Sequence, residues 1–164
     1  AKGQQYFIEA MSKLKKYNIR YELVGSGDSN YLRSCALKNG VADRVVFKGQ
    51  MKHQQVLEWI DSLDIYIQPS MQEGLPRALI EAMSRACPAI GSSTGGIPEL
   101  LPSDAIFKRG NVDSLIKTFK TIIESDLDAK AKVNFNKAKE YELEKLNSRR
   151  NVVYEQFKNY IINE

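Results

Sequence analysis

The feature that most constrains the fold is an alternation that repeats along the chain. A short aromatic or β-branched run gives way to a turn, and the turn to a segment with apolar residues at helical spacing. Arg20 to Val24 alternates as a strand does and ends in the turn Gly25-Ser26-Gly27-Asp28, which leads into a helix reaching Lys38. Val45 to Gly49 is a second strand, followed by a helix over Gln54 to Leu63 that offers Val56, Leu57, Ile60 and Leu63 to a core. Asp64 to Ser70 reads as a buried strand, and Leu79, Ala82, Met83 and Ala86 recur helically behind it. Pro88 to Gly91 is a further strand, and the glycine turn after it feeds a short helix. Ala105 to Phe107 is one more strand, and Asn111 can cap a helix running to Glu124. Units of this kind imply a parallel sheet covered on both faces by helices, an α/β/α lobe in three layers.

The two ends of the chain differ from this pattern. Gly3 to Tyr17 carries Phe7, Ile8, Met11 and Leu14 at helical spacing, so a helix opens the sequence where an α/β lobe would normally open with a strand. A first strand is therefore expected outside this sequence, in a longer protein. From Leu127 onward helix formers dominate, and two helices with a break near Asn147-Ser148 fit the pattern.

Composition limits what such a lobe can be. Its 164 residues suffice for one core that buries about two thirds of the unfolded surface. Apolar content of 43% and charged content of 27% exclude wholesale disorder. The net charge of +4 arises from 24 basic and 20 acidic residues mixed along the chain, without the clustered, aromatic-interleaved basic patch of a nucleic-acid binder. No apolar run reaches membrane-spanning length and no long apolar leader opens the sequence, so a cytoplasmic location is the expectation. Cys35 and Cys87 have no paired metal spacing and read as inert thiols. His53, the single histidine, sits in a connecting loop with no local carboxylate or nucleophile and reads as a surface or capping residue.

Chemistry concentrates between Gln72 and Met83. Pro76 falls at the start of a helix, where backbone N–H groups are free to meet an anion such as phosphate. Glu73 lies in the loop and Glu81 in the helix, both near the carboxyl end of a strand, where open α/β sheets bind ligands. Two carboxylates repel phosphate but accept hydrogen bonds from hydroxyls, so the residues suggest a ligand with both a phosphate and a polyol. A glycosidase pair of carboxylates and a solvated surface remain open at this point. Gly25-Ser26-Gly27 lacks the third glycine of a dinucleotide fingerprint, with Asn30 in that place, and reads as a tight turn.

The stretch from Glu73 to Met83 resembles the motif of two glutamates, with seven residues between them, in retaining glycosyltransferases of family 4. Lys2-Gly3, Pro69-Ser70, Phe47-Lys48-Gly49 and Gly95-Gly96-Ile97-Pro98-Glu99 resemble further motifs of that family, in the same order. The resemblance implies a Rossmann-like lobe that is the C-terminal half of a GT-B fold, with the acceptor domain and the first strand outside this sequence. It implies that Lys2 binds the diphosphate of a nucleotide-sugar donor, that Glu81 holds the ribose hydroxyls and that Glu73 holds the transferred sugar. Gly49 and Met51 would meet the base, and Gly74 and Leu75 would bring amides toward sugar and phosphate. Glu73 and Lys2 would serve catalysis, with no metal and no cofactor required. Many members carry a second glycine where this chain has Pro76, which removes one N–H from the loop. The resemblance further implies a hexose as the transferred group, a glycan or lipid-linked acceptor, a role in building a surface or capsular glycan, and peripheral contact of the parent with a membrane. The competing reading is a non-catalytic nucleotide-binding or interaction module on the same framework.

Overall fold

A computed structural model describes residues 2–162; the extreme termini, at which the sequence reading places the junction with a first strand, lie outside the described residues. The chain alternates helix and strand as expected. It runs α1 (Gln4–Lys13), β1 (Tyr21–Val24), α2 (Asn30–Lys38), β2 (Val45–Gly49), α3 (His53–Ile60), β3 (Tyr66–Gln68) and α4 (Arg77–Ser84). It continues through β4 (Ala89–Ser92), α5 (Ile97–Leu100), β5 (Ile106–Phe107), α6 (Val112–Ile123), α7 (Leu127–Ala138) and α8 (Leu143–Ile162).

All strand pairings are parallel, but the strands form two sheets rather than one. β1 pairs with β2, and β4 lies between β3 and β5. One helical layer brings α1 against α2 and α6, and the other brings α4 against α3 and α7. Phe7 of α1 ties its helical layer together and to the sheet, its ring meeting Phe119 of α6 at 5.5 Å and Tyr21 of β1 edge-on at 4.8 Å. Ile8, Met11, Leu79, Met83, Ile90 and Leu115 fill the remainder at essentially zero exposure. At about 25 cal/mol per Å² such burial is the main stabilising contribution.

Two details differ from the sequence reading, and the start of α4 at Pro76 agrees with it. Asn147 and Ser148 lie within α8, and the break falls instead at a 3₁₀ turn over Lys139–Tyr141. Tertiary docking decides this: buried Asn134 donates from Nδ2 to the Cys87 carbonyl at 3.0 Å and Ala138 is buried, so α7 stops where its docked face ends. His53 is the first residue of α3 rather than part of a loop, because Gln55 folds back to accept the Lys52 N–H at 3.0 Å and closes the helix start. Pro76 is the residue before α4, and its carbonyl accepts the N–H groups of Leu79 and Ile80. Asn111 caps α6 as expected, accepting the Ser114 N–H at 2.8 Å.

Candidate functional site

The strand β3 continues through Pro69 and Ser70 into the loop that carries Glu73. Tyr66, Gln68 and Ser70 alternate onto one side, so three polar side chains stand in a row beside that loop. Tyr66 donates to Gln68 Oε1 at 2.8 Å. Gln68 donates to Ser70 Oγ at 2.9 Å and to Glu73 Oε1 at 2.9 Å, and Ser70 adds a donor to the same oxygen at 3.2 Å. Gln68 and Ser70 are buried, which makes these bonds strong determinants of geometry. Burial first, then the charges of Glu73 and Glu81, push the Tyr66 hydroxyl well above its ordinary range, so it stays protonated and donates.

Lys2 completes the arrangement. Its ammonium sits 2.7 Å from Glu73 Oε1 and 3.1 Å from Oε2. The carboxylate side chain is only 13% exposed and the lysine 60%, so Glu73 is the fixed partner and Lys2 the adaptable one. Lys2 reaches the site because Gly3 adopts φ 72° under the end of β3, where a Cβ would lie 1.8 Å from the Pro69 carbonyl oxygen. Gly95, at φ 53°, braces the other end of the loop: a Cβ there would lie 1.9 Å from the Glu73 carbonyl oxygen. The Gly96 N–H donates to the Gly74 carbonyl at 2.8 Å, tying the same two segments together.

A cavity of about 1080 Å³ opens at the carboxyl ends of β1 and β3, with Lys2, Glu73, Leu75, Arg77 and Glu81 in its lining. Lys2 and Glu73 are thus brought into contact, and Glu81 and Leu75 share their cavity. Gly49 lies in an adjoining hollow of about 360 Å³ that also takes in Lys2, Gly25, Ser26 and Arg33. Met51 and Gly74 line neither space; Gly74 instead supports the loop from behind. Arg77, in the first turn of α4, is exposed and also lines the cavity. The sequence reading missed Gln68 and Tyr66, although a glutamine inside an apolar strand is itself a signal. Burial raises the Cys87 thiol to about 12, in keeping with an inert thiol, whereas Cys35 is only half-buried. Among the described residues no group of three or more His, Cys, Asp or Glu side chains is placed to hold a metal ion, and no helix is long and apolar enough to cross a membrane.

Residues 1–141 match the family described as Glycosyl transferases group 1. The chain belongs to this family. Protein CapJ of Staphylococcus aureus is 37% identical over 119 residues, which cover 71% of this chain and 30% of CapJ. Sucrose-phosphate synthase from Thermosynechococcus elongatus superposes with a TM-score of 0.84 at 20% identity, over 97% of this chain and 43% of that one. Anabaena HepE, solved in complex with UDP, superposes with a TM-score of 0.79 at 20% identity, over 96% of this chain and 45% of HepE. The group 1 chain thus has the α/β fold of one lobe of a GT-B glycosyltransferase, and it spans less than half the length of these relatives.

Proposed function

We propose that this group 1 domain is the donor-binding lobe of a retaining glycosyltransferase of family 4, one that transfers a hexose from a nucleotide-diphosphate sugar to a glycan or lipid-linked acceptor. The observation that carries the reading is the Lys2–Glu73 pair, anchored by Gln68 and Ser70 at the strand ends and sharing its cavity with Glu81. HepE has been solved with UDP and with UDP-glucose, which makes a uridine diphosphate sugar the first donor to test.

In this reading Lys2 shifts from Glu73 to the donor's diphosphate and neutralises charge that grows as the diphosphate leaves. Glu73, still held by Gln68 and Ser70, accepts hydrogen bonds from hydroxyls of the transferred sugar and fixes the anomeric carbon for attack. Glu81 accepts from the ribose hydroxyls. Gly49 and Met51 frame the base, and the loop of Gly74 and Leu75 borders sugar and phosphate. No metal takes part, because a lysine and backbone amides supply the positive charge. The acceptor is held by a further domain, which leaves this lobe inactive alone. The parent contributes to polysaccharide biosynthesis at the cytoplasmic side of a membrane.

The test uses the full-length enzyme. Glu81→Ala should weaken UDP binding, read by calorimetry, by about 10- to 100-fold, the loss expected for one charge-assisted hydrogen-bond acceptor. Unchanged affinity would remove Glu81 from the ribose. Transfer from UDP-glucose should collapse in Glu73→Ala, and the anomeric configuration of the wild-type product, read by NMR, should be retained. An inverted product would overturn the mechanism.

A further inference from the structure

A second basic feature, unused by the donor site, stands at the carboxyl end of β5. Lys108 and Arg109 follow that strand directly and are both exposed. Their loop is strapped in place. The Lys108 N–H donates to Ser114 Oγ at 2.9 Å, the Arg109 N–H to Ser93 Oγ at 3.1 Å, and the Asn111 N–H to the Lys108 carbonyl at 3.1 Å. Gly110 turns at φ 67°, and a Cβ there would lie 3.2 Å from the Met71 methyl carbon and 3.6 Å from the Tyr6 hydroxyl. The Arg109 side chain reaches the same place, its Nη1 donating to the Met71 carbonyl at 3.3 Å. Met71 stands two residues before Glu73, within about 7 Å along the backbone. A guanidinium offers a fork of N–H donors, and among the described residues the Met71 carbonyl is the one acceptor that this fork meets. The acids nearest in sequence are engaged elsewhere, Asp104 by Lys130 and Asp113 by Lys13. Two adjacent cations therefore stand beside the glutamate loop with their charge uncompensated, an arrangement that an anion between them relieves.

The order of the strands shows which ligand these cations face. β1 and β3 line the cavity, with β2 beyond the one and β4 and then β5 beyond the other. Gly49, in the hollow that adjoins Lys2, ends β2, and Glu73 follows β3, so nucleotide and transferred sugar run from the β2 side toward β3. β5 lies two strands further in that direction, about 10 Å past β3 at ordinary strand spacing. A group bound there lies past the transferred sugar and away from the nucleotide, on the side left to the acceptor. We propose that Arg109, with Lys108, holds an oxyanion of the acceptor, a phosphate or a carboxylate, beside the sugar held by Glu73. The inference rests on the donor reading above and deepens it: the acceptor is anionic, and this lobe takes part in choosing it. The guanidinium fork matches either oxyanion at two points, and Lys108 adds a point charge. With its backbone pinned to Ser93 and its head steadied by Met71, Arg109 is ordered before the anion arrives, which lowers the entropy lost on binding. The same short segment, Met71 to Glu73, then sets the position of acceptor and sugar together.

The test uses the full-length protein, with and without UDP filling the donor site. Inorganic pyrophosphate and succinate, added separately, probe the second anion site by NMR titration. At least one of them should bind the UDP-filled protein, and Arg109→Gln should weaken that binding about 10-fold, the loss expected for one charge-assisted contact. Lys108→Gln should weaken it less, and UDP affinity should stay near the wild-type value in both variants. A preference for pyrophosphate would identify the acceptor's anion as a phosphate, and a preference for succinate as a carboxylate. Absence of saturable binding by either probe, or equal affinity in Arg109→Gln, would overturn the proposal. So would loss of binding to phosphatidylglycerol vesicles in Arg109→Gln with the anion affinity unchanged, because the cations would then face a membrane. Failure of the wild type to bind UDP would count against the donor reading alone, since the comparison at Arg109 is also made without UDP.

Discussion

The two sheets bury their strands to very different degrees. All four residues of β4, Ala89-Ile90-Gly91-Ser92, are buried, whereas β1 and β2 are each buried at one residue and half-buried or exposed at the rest. Intrinsic strand preference runs the other way, since Tyr-Glu-Leu-Val and Val-Val-Phe-Lys-Gly hold more β formers than Ala-Ile-Gly-Ser. Position decides. β4 has a strand on each side and helices above and below, and its small residues let α5 approach; a Cβ on Gly91 would lie 2.5 Å from Ile97 Cγ2. Burial in this fold follows the number of neighbours a strand acquires more closely than the hydrophobicity it brings.

Substitution can break or sharpen that contrast. The largest effect is expected at the centre of β4, where Ile90→Ala should cost about 2–5 kcal/mol by denaturant unfolding. Val46→Ala in β2 should cost less than about 1.5 kcal/mol, since its side chain is only half-buried. Equal costs would refute the account by position. Next comes Gln68→Leu in β3, expected to cost about 1–3 kcal/mol because Tyr66 and Ser70 lose a buried partner. In the full-length enzyme it should also lower sugar transfer more than UDP affinity, since Glu73 loses an anchor while Glu81 does not.

The smallest effect belongs to the two-stranded half. Glu22 in β1 loses hydration on partial burial, which would raise its pKa, but the Trp59 N–H at 2.7 Å and the charges of Lys48 and Arg20 outweigh this and hold it below 4.5. A depressed carboxylate pKa contributes stability that is complete above the unfolded-state value and is lost as pH falls through the folded one. Glu22→Gln should therefore flatten the loss of stability below pH 4.5, measured as Tm against pH. An unchanged acid limb would show that these contacts contribute nothing.

Much of this was legible in the sequence, for physical reasons that differ by element. Val45–Gly49 and the Asn111 cap were readable because short-range signals decide them. The contact between Lys2 and Glu73 spans 71 positions, and only the resemblance placed both residues at one ligand. The row Tyr66, Gln68, Ser70 was readable in principle, because alternate strand residues share a side. The division into two sheets was not, since local pattern does not say which strands become neighbours. The end of α7 was hidden for a related reason: Asn134 is an ordinary polar helix residue until the Cys87 carbonyl is opposite it.

The loop from Pro69 to Glu73 is pinned at both ends by a glycine from elsewhere in the chain, Gly3 under the Pro69 carbonyl and Gly95 against that of Glu73. Neither glycine has a side chain with which to touch a ligand. In a mutational scan scored on activity, substitutions at both would nevertheless read like losses of reactive groups. Such a scan maps the mould as faithfully as the casting, and only a parallel readout of binding or stability tells the two apart.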